Sequence, residues 1–209
     1  MTITWMILIL IIVLLILILL SYLGSLNNNN WPSEPISMLT PYVNEADIVS
    51  INEAYSETAN SPWGFVHQGI DFFPPIGSLH DFQAVSNGVV QDVNLWLNPG
   101  NNFWQVNVSI KYNNTFSVEY AFEPMSSLQA DGQTQLDNIL VTAGDTVSGG
   151  GLIGRLHAAM NGAHVHFSLT ENNQFICPEP YFTPTAQASI MTILQNTFPS
   201  EANLQMCYF

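Results

Sequence analysis

The sequence predicts a mainly β domain, preceded by one long apolar helix and followed by a shorter amphipathic one. Three observations carry this reading. An uncharged apolar run fills the N-terminus from Ile3 to Leu20, and short apolar or alternating runs punctuated by Gly, Pro and Asn extend from Phe65 to about Phe175. Apolar residues then recur at helical spacing after Pro184. At 209 residues and 47% apolar content, the chain can bury one well-packed domain and still carry extensions.

The apolar run continues through Tyr22 and Leu23, and at a rise of about 1.5 Å per residue it is long enough to span a bilayer. A cleaved signal peptide is the competing reading, and Gly24 and Ser25 keep it open. A signal core is ordinarily only ~7–15 residues, however, and Ser21-Tyr22-Leu23-Gly24 makes a poor cleavage site. The favoured expectation is an uncleaved membrane anchor over residues 1–24. The two basic residues, Lys111 and Arg155, lie far from this run, so the distribution of positive charge does not set its orientation. A short tail before the run and all remaining chain after it favour a domain on the outer side of the membrane.

Residues 25–60 read as tether and lead-in. Asn27 to Asn30 and Pro32, Ser33, Glu34, Pro35 are breaker-rich, and Ile48, Ile51 and Tyr55 suggest a helix within Asn44 to Tyr55. Residues 61–182 hold the β domain. Its strands are expected at Gln83 to Val93, Phe103 to Lys111, Phe116 to Phe122, Ile139 to Val141 and Val165 to Thr170, with Asn113-Asn114 as a tight turn. Residues 183–209 form a C-terminal helix and tail. Thr183 caps the helix, Pro184 opens it, Ala186, Ile190, Ile193, Leu194 and Phe198 share one face, and Pro199 stops it.

Sixteen acidic residues against two basic ones give a formal charge of -14, which repels nucleic acid at long range and excludes a nucleic-acid partner. Cys177 and Cys207 are the only cysteines, and in an external compartment such a pair reads as a disulfide in preference to two free thiols. Asn107-Val108-Ser109 and Asn113-Asn114-Thr115 match the short N-glycosylation pattern.

The segments richest in chemistry are His67-Gln68-Gly69-Ile70-Asp71 and His164-Val165-His166-Phe167. In an extended chain, residues two or four apart face the same way, so His67 with Asp71 and His164 with His166 can converge. Two imidazoles and a carboxylate suit Zn2+, and three protein ligands leave the fourth tetrahedral position open, as in a catalytic site. Calcium and magnesium prefer oxygen shells. A structural metal site would need a fourth protein ligand, with His164 or His80 as candidates.

His-x-Gly-x-Asp followed by Gly-x-His-x-His-Phe resembles the signature of the lysostaphin-like (LytM-type) zinc metallopeptidases. Gly77, Ala84, Gly88-Val89-Val90, Gly144-Asp145-x-Val147 and Gly151-x-Ile153-Gly154 match the family's intervening punctuation, and the likeness runs from Trp63 to Leu169. It implies a small antiparallel β-sheet or sandwich domain with a groove that accepts a peptide of a cell-wall or surface polymer. By the same resemblance, His67, Asp71 and His166 are the zinc ligands, and His164 is the catalytic residue that hydrogen-bonds the reacting groups during peptide-bond hydrolysis. The family places a further catalytic histidine on a central strand, where this chain reads Tyr120-Ala121-Phe122, and Phe122 has no hydrogen bond to give. His157 is a candidate to replace it. The expected function is therefore a membrane-anchored zinc endopeptidase, the alternative being a peptidase-like module that binds peptides or regulates a partner without cutting.

Overall fold

The computed structural model of the protein describes residues 36–209. The membrane span expected over residues 1–24 lies outside the described residues. Within them, no helix is long and apolar enough to cross a membrane.

Twelve strands and two α-helices follow one another along the described chain. They are β1 (Ser50–Ile51), β2 (Tyr55–Ser56), β3 (Ile70–Phe73), β4 (Leu79–Gln83), β5 (Gly88–Asn98), β6 (Phe103–Lys111), β7 (Phe116–Ser126), α1 (Gln129–Asp137), β8 (Thr146–Val147), β9 (Leu152–His157), β10 (His164–Glu171), β11 (Gln174–Ile176), α2 (Pro184–Thr197) and β12 (Cys207–Tyr208). The main sheet is antiparallel, in the order β1-β3-β10-β7-β6-β5-β8, with β11 paired to β10. Two small sheets accompany it, β4 with β9 and β2 with β12.

Strand alternation divides this sheet into two chemically distinct faces. Val106 and Val108 on β6, Tyr120 and Phe122 on β7, Val165 and Phe167 on β10 and Ile70 and Phe72 on β3 line one face, and all are fully buried. The registers place Asn107, Glu119, Ala121, Glu123, His164, His166 and Asp71 on the other. The core thus fixes which way every site residue points, because a slip of one residue would turn both faces over.

Several elements differ from expectation. Residues 44–55 form only a 3-10 turn at Glu45–Asp47, followed by β1 and β2. Ile48, Ile51 and Tyr55 are buried as expected, but from extended chain. From Ile36 onward the stretch read as tether and lead-in supplies core residues, among them Met38 and Tyr42. The strand expected at Gln83 to Val93 is the end of β4 and the start of β5, separated by a loop. Ile139 makes a single bridge to Gly154 in place of a strand. The helix α1 was not expected at all. The Asn113 turn holds: its Oδ1 accepts from the backbone N–H groups of Thr115 and Phe116 at 2.8 and 2.7 Å. That bonding, and the engagement of Asn107 with Glu119, occupy both candidate glycosylation side chains.

The C-terminal helix α2 is capped as the sequence indicates, with Thr183 Oγ1 accepting from Ala186 N at 3.2 Å. It buries Ala186, Ile190, Ile193 and Leu194, and Thr197 Oγ1 accepts from Ile51 N to join it to β1. Cys177 and Cys207 form a disulfide across a sequence separation of 30. Constraint of a loop of that length stabilises by about 3–4 kcal/mol, so Cys207→Ser is expected to lower unfolding stability by that amount. Urea titration of both forms under oxidising conditions measures it, and an unchanged midpoint would show that the bond does not stabilise the fold.

Candidate metal centre

Strand β3 and strand β10 lie side by side with Asp71 opposite His166. His67 stands four residues before Asp71, in a stretch held by an antiparallel bridge to Ser56. Ser56 Oγ itself donates to the Phe65 carbonyl and accepts from Trp63 Nε1. These neighbours bring three imidazoles to one buried carboxylate. His166 Nδ1 lies 2.7 Å from Asp71 Oδ1, His67 Nε2 lies 3.3 Å from Asp71 Oδ2, and His164 Nε2 lies 3.6 Å from the same oxygen. His67, Asp71 and His166 each turn one potential ligand atom toward the others, all within 4.8 Å.

The outer nitrogens show how the rings are set. His67 Nδ1 is 3.1 Å from the Ala54 carbonyl and, when protonated, donates to it, which leaves Nε2 to face Asp71 as an acceptor. That is the arrangement in which an imidazole binds a metal, since the other nitrogen's hydrogen bond fixes tautomer and orientation. An unprotonated nitrogen facing a carboxylate at 3.3 Å is favourable only with a cation or a proton between them. His164 Nδ1 likewise meets the Gly162 carbonyl at 2.8 Å, and the Phe73 ring stacks on His164 with centroids 4.8 Å apart.

Glu53 and Glu123 are neighbours that the sequence had not indicated. Glu53 accepts from Asp71 N through its backbone carbonyl at 2.9 Å, while its side-chain Oε2 is buried without a hydrogen-bond partner. Glu123 stands directly opposite His164, with Oε1 3.9 Å from Nε2. The orphaned Glu53 oxygen and the His2Asp donor set both fit a zinc ion better than an apo structural role.

The register also corrects the expectation for Phe122. Its side chain faces the core, opposite Val165 and against Phe82, so it borders no part of the site. The β7 residues that do face the histidines are Ala121, opposite His166, and Glu123, opposite His164. Alternation along Val118, Tyr120 and Phe122, the large apolar residues of β7, carries Phe122 to the core face. His157 does not join the cluster: it lies on β9 opposite Leu79, with its backbone N–H donating to Gln135 Oε1. His80 is bonded to Ser78 and the Pro75 carbonyl.

Burial alone would raise the Asp71 carboxyl, but the charge of His164, followed by the hydrogen bond and charge of His166, holds it well below the carboxylate range. For His67, burial favours the neutral ring, and the hydrogen bond and charge of Asp71 overcome it and raise the ring above its ordinary 6.5. Burial raises Glu53 and Glu123 above their ordinary 4.5, and the negative charge of Asp71 adds to the effect.

The signs give a pH dependence. A raised His67 stabilises the fold fully below 6.5 and loses that contribution as pH rises through its folded value. The raised Glu53 and Glu123 act in the same direction, starting from 4.5, whereas Asp71 contributes fully above 3.8 and loses only in acid. The melting temperature of the metal-free protein is therefore expected to fall as pH rises from the ordinary glutamate value of 4.5 past the ordinary histidine value of 6.5. Zinc reverses that slope, because metal competes with protons for the imidazoles. Thermal melts across this range, with chelator and with zinc, test both signs, and parallel slopes would refute the linkage to zinc.

No protein-family model matches the chain, and no curated protein matches it. Among solved structures it is similar to a chain of the SpoIIQ-SpoIIIAH pore forming complex, at a TM-score of 0.52 and 20% identity over 76% of this chain and 98% of that one. It is also similar to a zinc containing peptidase from Vibrio cholerae, at a TM-score of 0.49 and 24% identity over 68% of this chain. A third similar structure is the antimicrobial peptidase lysostaphin from Staphylococcus simulans, at a TM-score of 0.44 and 18% identity over 79% of this chain. The chain spans 39% of the length of the Vibrio cholerae peptidase and 58% of that of lysostaphin. With its curled antiparallel sheet and two helices, the chain has the LytM-type fold.

Proposed function

We propose that the protein is a zinc-dependent endopeptidase that hydrolyses peptide bonds in a cell-wall or surface polymer. The observation that carries this reading is the convergence of His67, Asp71 and His166 on one point of the sheet's polar face. In this reading those three residues hold zinc, and His67 is oriented for it by the Ala54 carbonyl. Bound zinc supplies Lewis acidity and activates water near neutral pH.

The chain's own residues divide the remaining work. His164, braced by Gly162 and Phe73, directs Nε2 into the site and, when both ring nitrogens carry protons, donates a hydrogen bond to the substrate carbonyl oxygen as negative charge develops there. Glu123 stands behind the same nitrogen, with its Oε1 3.9 Å from His164 Nε2. The apolar run of residues 1–24 supports an anchored protein with this domain outside the cytoplasm, where such polymers lie.

A second reading, a module that binds a peptide or protein without cleaving it, draws support from Ala121. It sits opposite His166 and offers no hydrogen bond to a reacting group. The similarity to a chain from a protein–protein complex points the same way. Zinc stoichiometry of wild type and His166→Ala, measured alongside cleavage of peptide cross-bridges, separates the readings. One zinc lost on mutation together with cleavage supports the peptidase. Zinc without cleavage supports the binding module, and no zinc removes the proposed site.

A further inference from the structure

The polar face of the sheet continues past the histidines into a second feature. On β7 the residues facing that side run from Ala121, opposite His166, through Glu119 to Ser117, a distance of about 13 Å at ~3.3 Å per residue. There a cavity of about 520 Å³ opens, bordered by Ser109, Ser117, Thr170, Asn114, Asn172 and Phe175. Its walls are the β6–β7 and β10–β11 turns, and they are tied together: Asn172 N donates to the Thr115 carbonyl at 2.8 Å, and Thr170 Oγ1 donates to the Ser117 carbonyl at 3.2 Å.

The lining selects a ligand class. Hydroxyls and carboxamides each offer both donors and acceptors, which matches a ligand studded with neutral hydroxyl or amide groups. Lys111 and Glu119 border the cavity with opposite charges, so this patch is locally balanced in a chain whose formal charge is -14. Neither an anion nor a cation is selected. Glu119 is fixed by Asn107 Nδ2, which donates to Oε1 at 3.0 Å, and Asn107 Oδ1 in turn accepts from Trp96 Nε1 at 3.1 Å and from Gln105 Nε2 at 2.9 Å. Phe175, 43% exposed, adds a flat apolar surface of the kind that takes the C–H face of a sugar ring. The volume lies in the range of small-ligand sites.

We infer that this cavity is a saccharide subsite. It rests on the reading of a polymer substrate and refines it: the carbohydrate part of the polymer sits between the two turns while its peptide reaches the histidine cluster, about 13 Å away along β7. A chain bearing both chemistries would then be held at two points, which favours peptide attached to glycan over free peptide.

The test is calorimetric titration of the full-length chain, in detergent micelles and with chelator present, using triacetylchitotriose and maltotriose as probes. Binding of either sugar is expected at millimolar concentration or below. Phe175→Ala should weaken it about tenfold by removing the stacking surface. Ser117→Tyr, which fills the cavity, should abolish it, with thermal melts confirming that both variants fold. No binding of either sugar, or binding unchanged in both folded variants, overturns the subsite. Because the measurement needs no metal, its failure leaves the peptidase reading intact, and failure of zinc binding or cleavage leaves the sugar titration readable.

Discussion

Asp71→Asn is expected to lower zinc affinity by more than about 100-fold, since loss of a mere outer-shell partner already costs ~10–100-fold. Asp71 is the residue to which all three imidazoles turn, at 2.7, 3.3 and 3.6 Å, and it is buried where water cannot substitute for its charge. The amide keeps the shape and removes the charge, so the loss reports electrostatics and coordination more than packing. Equilibrium dialysis against zinc, with melting curves in chelator as the control for folding, gives the measurement. Wild-type affinity in a folded Asp71→Asn protein would show that the ligand set is wrong.

Gly69→Ala is expected to damage the same centre by steric means. A methyl group at residue 69 would lie 2.5 Å from His166 Cε1, 2.6 Å from its Nε2 and 2.6 Å from the Phe167 carbonyl oxygen. The ring can rotate away only by abandoning Asp71, and the carbonyl belongs to β10 where it pairs with β3, so either the ligand or the strand pair must move. Overpacking of this kind costs about 1–3 kcal/mol, and zinc affinity should fall with it. Gly64→Ala provides the comparison. Gly64 has φ +82 and open space around it, so an alanine there carries only the backbone penalty of about 1–2 kcal/mol and should leave zinc binding unchanged. Equal zinc affinity in Gly69→Ala and wild type would contradict the close approach of Gly69 to His166.

The motif was readable because its residues are contiguous: Gly69 is required by the close approach of His166, and Asp71 follows two residues later on β3, opposite that ring. The strands β6 and β10 and the capped helix α2 were legible for a similar reason, since periodicity or a cap sits in contiguous residues. Helix α1 was not, because Gln-Ala-Asp-Gly-Gln-Thr-Gln-Leu-Asp has no apolar stripe. It is held instead by Gln135, whose fully buried amide donates to the Arg155 carbonyl and accepts from His157 N. Residues 44–55 misled for the opposite reason: Ile48, Ile51 and Tyr55 are all buried, but short extended segments in a tertiary setting can reproduce a helical spacing. Glu53 and Glu123 were invisible as site residues because nothing local distinguishes them. Only the register of β7 against β10, and the course of the chain beside β3, bring them to the histidines.

The parallel pairing of β12 with β2 reaches beyond anchoring a tail. Cys207 pairs with Tyr55 and Tyr208 with Ser56, and Ser56 is the residue that bridges His67. The strand supporting one ligand is thus completed by residues some forty positions after His166, the last ligand. In chain order, every ligand precedes the strand that completes the support of His67. Reduction of the Cys177–Cys207 disulfide, by loosening β12 from β2, is therefore expected to weaken the support of His67, which zinc titration with and without reductant measures.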